Sequence, residues 1–199
     1  MRKTEIIEAA ARVFSTKGYY HAKIQEIADE ANMGKGTVYE YFTSKKELFT
    51  ETIKLGTKRV EEITDQELSR PEPFWLRLYH LQKKYVDYLW ENREFACLLM
   101  GRESQLITEK ELFGLLLQVR KNIIKRLENA FREAMNEGVV VSGNPALYAK
   151  LLHGITNQVI VESLLIDKQK PTPHDIEATI RVLMDGIKTD EAELVVDNT

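Results

Sequence analysis

The chain has 199 residues, a formal net charge of −3, and 30% charged and 43% hydrophobic side chains. This balance fits a folded domain and excludes a low-complexity or highly charged disordered chain. No apolar run approaches the length of a membrane span, no signal-like hydrophobic core opens the sequence, and the single cysteine, Cys97, excludes an internal disulfide, so a cytoplasmic setting without membrane attachment is expected.

The first predicted helix covers 4–17. Ile6, Ala10, Val13 and Phe14 follow the i, i+4, i+7, i+8 pattern of a buried stripe, and Gly18 supplies a left-handed stop. A second short helix buries Ile24, Ile27, Ala28 and Ala31. After the break Asn32-Met33-Gly34 comes a third, 35–42, with Val38 and Phe42 on one inward face. Two short helices joined by a tight turn make the helix-turn-helix plan, whose second helix enters the DNA major groove. Lys35 opposes the dipole at the start of that helix, which makes sense beside DNA. Lys17, Lys23, Lys35, Lys45 and Lys46 give this head a local basic footprint, although the whole chain is acidic.

An ordered series carries a resemblance. It runs through Ile6, Ala9, Ala10, Phe14, Lys17-Gly18-Tyr19, Ile24, Ile27-Ala28 and Ala31. It continues through Lys35-Gly36-Thr37-Val38-Tyr39 and Tyr41-Phe42 to Ser44-Lys45-Lys46-Glu47-Leu48. These residues resemble the DNA-binding head of the TetR family of bacterial transcriptional regulators, over about a quarter of the chain. Three positions depart from the pattern: Lys23, preceded by Ala22, replaces the usual hydroxyl residue, Asn32 stands where Gly is common, and Gly34 where Ser is common. The resemblance, with donor chemistry, assigns phosphate contacts to Lys23, Thr37, Tyr41 and Lys45. Gln25, Lys35 and Tyr39 are the expected readers of base edges, with Gly36 allowing close backbone approach.

Ser44-Lys45-Lys46-Glu47 reads as a capping box that opens a long fourth helix to about residue 68, with Phe49, Ile53, Val60 and Ile63 in register. Arg70-Pro71-Glu72-Pro73 is punctuation. A fifth helix follows over 74–92 and a sixth over 93–104. A second capping box at 108–111 opens the seventh, which Gly138 ends. The valines 139–141 read as a loop that plugs the core. Asn144-Pro145 and Thr172-Pro173 start the last two helices, the ninth ending near 186–188. The expectation is an all-α chain of about nine helices: an N-terminal three-helix helix-turn-helix head (1–48), a C-terminal helical bundle for ligand binding and dimerisation (49–189), and an acidic disordered tail (190–199).

In the bundle, Trp75, Tyr79, Tyr85, Tyr88, Phe95, Met100 and Phe113 come from three helices that packing brings together. Each alone reads as ordinary core; as a set they imply a small hydrophobic or aromatic effector. The last two helices carry Gly154, Val161, Ile176, Ile180, Leu183 and Ile187 on apolar faces, suited either to burial in the monomer or to a self-complementary patch. The resemblance favours the second: in TetR-like proteins these helices form a four-helix bundle with their twofold mates. The span 95–186 also loosely resembles the effector domains of acyl-CoA-responsive fatty-acid regulators from bacilli. His21, His80, His153 and His174 are scattered, without the spacing of metal ligands. Cys97 sits among apolar neighbours as an inert thiol, and neither a cofactor loop nor a catalytic constellation is found. The expected protein is a homodimeric repressor released from double-stranded operator DNA by its ligand. An activator or architectural protein without an effector, and an all-α enzyme, are the alternatives.

Overall fold

The computed structural model describes residues 2–100 and 110–185. Among the described residues, the regular elements are helices in the order α1 (Arg2–His21), α2 (Ile24–Glu30), α3 (Lys35–Tyr41), α4 (Lys45–Leu68), α5 (Phe74–Glu91), α6 (Arg93–Met100), α7 (Lys110–Asn136), α8 (Pro145–Val161) and α9 (Pro173–Asp185). Their boundaries follow local chemistry. Gly18 takes φ 72° and ψ 165°, a non-helical conformation that breaks α1 at the predicted stop and leaves a short second helical segment to His21. The chain turns on to His21 with Ala22 N–H bonded back to Gly18 O at 3.2 Å.

The turn between α2 and α3 is closed by a pair of reverse bonds, Asn32 N–H to Asp29 O at 3.0 Å and Met33 N–H to Ala28 O at 2.8 Å. This is the Schellman arrangement, and it requires a left-handed residue. Asn32 supplies it with φ 53°, whereas Gly34 is extended at φ −71° and caps α3 without a side chain. Gly138 closes α7 the same way, at φ 71°. Of the three valines that follow, only Val140 plugs the core; Val139 and Val141 stand exposed, so the expectation for that loop holds for its middle residue alone.

The predicted caps form. Ser44 Oγ accepts from Glu47 N–H at 3.1 Å. The return arm reaches one residue further than a standard box, because Glu47 accepts from Thr43 N–H at 2.7 Å. Asn144 Oδ1 accepts from Ala146 and Leu147 N–H at 3.1 and 3.2 Å. Thr172 and Asp175 exchange bonds of 3.2 and 2.8 Å at the start of α9. Past Val161 the backbone widens into a π-helical segment, Glu162–Asp167, which left-handed Lys168 terminates. The box predicted at 108–111, the end of the ninth helix, Ile187 and the tail fall outside the described residues.

α4 serves two cores. Its first half gives Leu48, Phe49 and Ile53 to the head cluster, with Ile6, Phe14, Ile27, Val38 and Phe42. Its second half gives Val60 and Ile63 to the body cluster, with Leu78, Leu127, Phe131 and Leu152. Phe95 and Leu98 of α6 also pack into the head cluster, so a division at residue 48 cuts a continuous core. Full burial of a side chain such as Phe14, Val38 or Phe42 stabilises by about 1.5–3 kcal/mol, and it is these residues that hold α3 in place. Buried hydroxyls on α4 are satisfied internally: Thr52, Thr57 and Thr64 each donate to the carbonyl four residues back, at 2.8–2.9 Å.

Candidate nucleic-acid interface and effector pocket

With Val38 and Phe42 turned inward, α3 presents Lys35, Gly36, Tyr39 and Tyr41 outward, with Thr37 half-buried. Tyr39 is 48% exposed, which is unusual for a large ring with no protein surface to cover it. The Lys35 ammonium lies 5.9 Å from its ring centroid. At Gly36 an added Cβ meets nothing within 4 Å, and its φ is not positive. Neither packing nor backbone conformation therefore requires glycine there, although it costs the helix stability. Lys23 and Gln25 are exposed at the start of α2. Gln25 bonds Asp29 at 2.7 Å, and Lys23 N–H is taken by the Glu26 carboxylate at 3.0 Å. Glu26 lies below the ordinary carboxylate range, chiefly through its bond to Lys17 and then through the Lys23 N–H.

Lys45 is placed differently from expectation. Its ammonium donates to the carbonyls of Tyr20 and Ala22 at 3.2 and 3.0 Å and lies 4.8 Å from the Tyr19 ring centroid. It straps the start of α4 to the end of α1, where the unpaired carbonyls of a helix terminus attract a cation. It is not a free phosphate ligand.

The body contains a small, partly open cavity bounded by α4, α5, α7 and α8. Val60, Leu81, Ile123, Leu127 and Leu152 form its apolar wall, and Thr64, Gln82, Tyr85, His153 and Thr156 its polar one. Of the predicted aromatic set only Tyr85 lines it. Trp75, Tyr79 and Tyr88 are half-buried in the surrounding clusters. Phe95 packs over Gly56 in the head. Phe113 is exposed on the outside of α7, and the Met100 side chain lies outside the described residues. The predicted set draws on α5, α6 and α7, whereas the cavity is lined from α4, α5, α7 and α8. Burial pushes the Tyr85 phenol up and the Tyr88 phenol up to about 12. It lowers His153 to about 4, with a smaller contribution from Arg120. The residues missed were Gln82, His153 and Thr156. Their signal in the sequence is a polar side chain one or two turns from apolar ones on otherwise apolar helices.

On the outer side of α8, Leu147, Leu151 and Gly154 share a face at helical spacing, all exposed. Val182 and Met184 are exposed on α9. Ile176 and Ile180, expected on that face, are buried in the protomer's own clusters at 3% and 4% exposure. Leu183 is half-buried against the body core, and Val161 is also half-buried. The apolar stripe of α9 packs on α5, so it is not free for a partner. Cys97 is half-buried with its thiol pushed up by burial. No helix among the described residues is long and apolar enough to cross a membrane, and no group of metal-ligating side chains gathers there.

Residues 6–52 match the model of the bacterial regulatory proteins of the tetR family. The head of the chain, residues 6–52, is therefore of the tetR type. A fatty acid metabolism regulator protein of Bacillus subtilis (strain 168) is 22% identical over 195 residues, covering 92% of this chain and 94% of its own. Among solved structures, the TetR-type fold is similar to transcriptional regulator FadR from Bacillus subtilis in complex with stearoyl-CoA, with TM-score 0.80 and 20% identity over 93% of this chain and 99% of that one. It is also similar to AibR in complex with isovaleryl coenzyme A and operator DNA, with TM-score 0.71 and 20% identity over 92% and 98%. Within this tetR-type head the three departures are accounted for locally. Asn32 is the left-handed residue, Gly34 an extended cap, and Lys23 a cap position whose N–H is held by Glu26.

Proposed function

We propose that the protein is a transcriptional repressor that binds a near-palindromic operator as a homodimer and is released by a small, mainly apolar effector held between α4, α5, α7 and α8. The observation that carries this reading is the double role of α4. One half of it is built into the core of the head that bears the exposed α3 face, and the other half supplies Val60 and Thr64 to the cavity. A ligand that changes the cavity acts directly on the helix that holds the reading head. The complexes named for FadR and AibR support an acyl-CoA as the effector class, with the acyl chain among Val60, Leu81, Ile123 and Leu127. Leu147, Leu151, Gly154 and Val182 form the face offered to the second protomer. Lys23, Thr37 and Tyr41 hold phosphates, while Gln25, Lys35 and Tyr39 read bases, across two half-sites about 34–36 Å apart.

Selection from randomised duplexes tests the DNA half: it should return inverted half-sites. Fluorescence anisotropy on the selected duplex then tests release, with hexanoyl-CoA lowering operator affinity and free coenzyme A leaving it unchanged. A DNA-binding protein without an effector gives the same duplexes, no acyl-CoA response and no ligand-induced rise in melting temperature.

A further inference from the structure

Two chains of hydrogen bonds run along the α5–α8 side of the cavity. Gln82 Nε2 donates to Thr156 Oγ1 at 2.9 Å, and the Thr156 hydroxyl donates to Leu152 O at 2.8 Å. This chain is complete at its far end. In the second, the Tyr85 hydroxyl donates to Asn157 Oδ1 at 3.2 Å, and Asn157 Nδ2 lies 2.9 Å from His153 Nε2.

The polarity of the second chain fixes a tautomer. Turning the Asn157 amide over leaves the Tyr85 hydroxyl hydrogen without an acceptor among the described residues, a costly state for a buried phenol. With Asn157 Oδ1 on Tyr85, the amide nitrogen faces His153 and has only hydrogens to offer. Nε2 must therefore accept, and the imidazole proton sits on Nδ1. Burial keeps the ring neutral, as the lowered pKa of about 4 reflects. Nδ1–H is then a strong donor of a cavity-lining side chain that no described residue takes up, beside the second hydrogen of Gln82 Nε2.

We propose that His153 Nδ1–H is the specificity group of the cavity, donating to the carbonyl oxygen of an acyl effector. A neutral single donor suits a neutral acceptor. A carboxylate placed here exchanges its hydration for one neutral bond among Val60, Leu81, Ile123, Leu127 and Leu152, which is strongly unfavourable. A saturated chain without a carbonyl leaves the donor unpaired, and sites built to hydrogen-bond a ligand reject analogues that lack the partner. This inference rests on the reading of the cavity as the effector site.

The test compares hexanoyl-CoA with S-hexyl-CoA, which has the same chain and nucleotide but no carbonyl, by titration calorimetry on the full chain. The wild type should prefer hexanoyl-CoA about tenfold, the scale of one buried neutral hydrogen bond. H153L should bring that ratio to about one while leaving S-hexyl-CoA affinity within about twofold, which also shows that the variant is folded. H153N, whose amide can put a donor where Nδ1 stood, should recover part of the preference; H153Q, whose amide reaches the Nε2 position, should not. Nitrogen-15 NMR of the imidazole should show the Nδ1–H tautomer in the free protein. Equal binding of the two ligands by the wild type, a ratio unchanged in H153L, or an Nε2–H tautomer overturns the inference and leaves the effector-site reading standing. Binding of neither ligand overturns both.

Discussion

Gly36 is the residue whose identity says most about what lies outside the protein. Glycine near the start of a helix destabilises it relative to alanine by roughly 0.5–1 kcal/mol, and the interior offers no compensation, since a Cβ there touches nothing within 4 Å. Gly36→Ala should therefore raise stability to urea by about that amount while weakening operator binding, because the methyl group would stand where the proposed interface brings DNA close. A variant that gains stability and keeps full affinity removes Gly36 from the interface. His153 gives a prediction in pH. Its folded pKa of about 4 lies below the ordinary 6.5, so between those values the unfolded chain binds more protons, and stability falls as pH is lowered. The loss from this group between pH 7.5 and 5 is about 2 kcal/mol. Arg120 reinforces it, and Tyr85 stays protonated throughout. Urea denaturation at both pH values should show this part of the acid sensitivity in the wild type and not in His153→Gln.

At the scale of elements, the junction of α4, α5 and α6 is where body and head touch. Tyr88 of α5 donates to Gly56 O at 3.2 Å, and the Phe95 ring of α6 lies so close that a Cβ on Gly56 would stand 2.7 Å from its Cδ1. Further along, buried Glu67 pins the end of α4 through Arg70 at 3.1 Å and Lys84 at 2.6 Å. Gly56→Ala should push Phe95 aside, cost about 1–3 kcal/mol by overpacking, and change the ratio of operator affinities with and without effector. Thermal denaturation and anisotropy check the two effects; an unchanged ratio would place the coupling elsewhere. The helix starts at Ser44, Asn144 and Thr172 were legible in the sequence because a cap is made by residues a few positions apart. So was the reading helix, since Val38 and Phe42 define its inward face by period alone. The cavity was less legible. Tyr85 and Tyr88 are three residues apart on one helix, yet one lines the cavity and the other reaches Gly56. Which face does which depends on how α5 is rotated against α4 and α8, and no local pattern encodes that. Lys45 shows the same limit: its partners, the carbonyls of Tyr20 and Ala22, are more than twenty residues away.

For the whole molecule, the proposed dimer turns on the outer face of α8. Leu183 and Ile180 are poor probes because they pack within the protomer. Leu151, exposed beside Gly154, is a clean one. Leu151→Glu should give a folded monomer in sedimentation, since a buried unpaired carboxylate at an interface is strongly unfavourable and the same charge on a free surface is not. A variant that stays dimeric would move the interface off this face. The proposed coupling joins the cavity to the head through α4, and reciprocity is its test. If effector lowers operator affinity tenfold, operator lowers effector affinity tenfold, about 1.4 kcal/mol of coupling. The measurement is calorimetric titration of hexanoyl-CoA into the protein alone and into its complex with the selected duplex. Binding to the complex should be clearly weaker, by the factor that anisotropy gives for operator release; equal affinity in both titrations would mean that the cavity and the head are uncoupled.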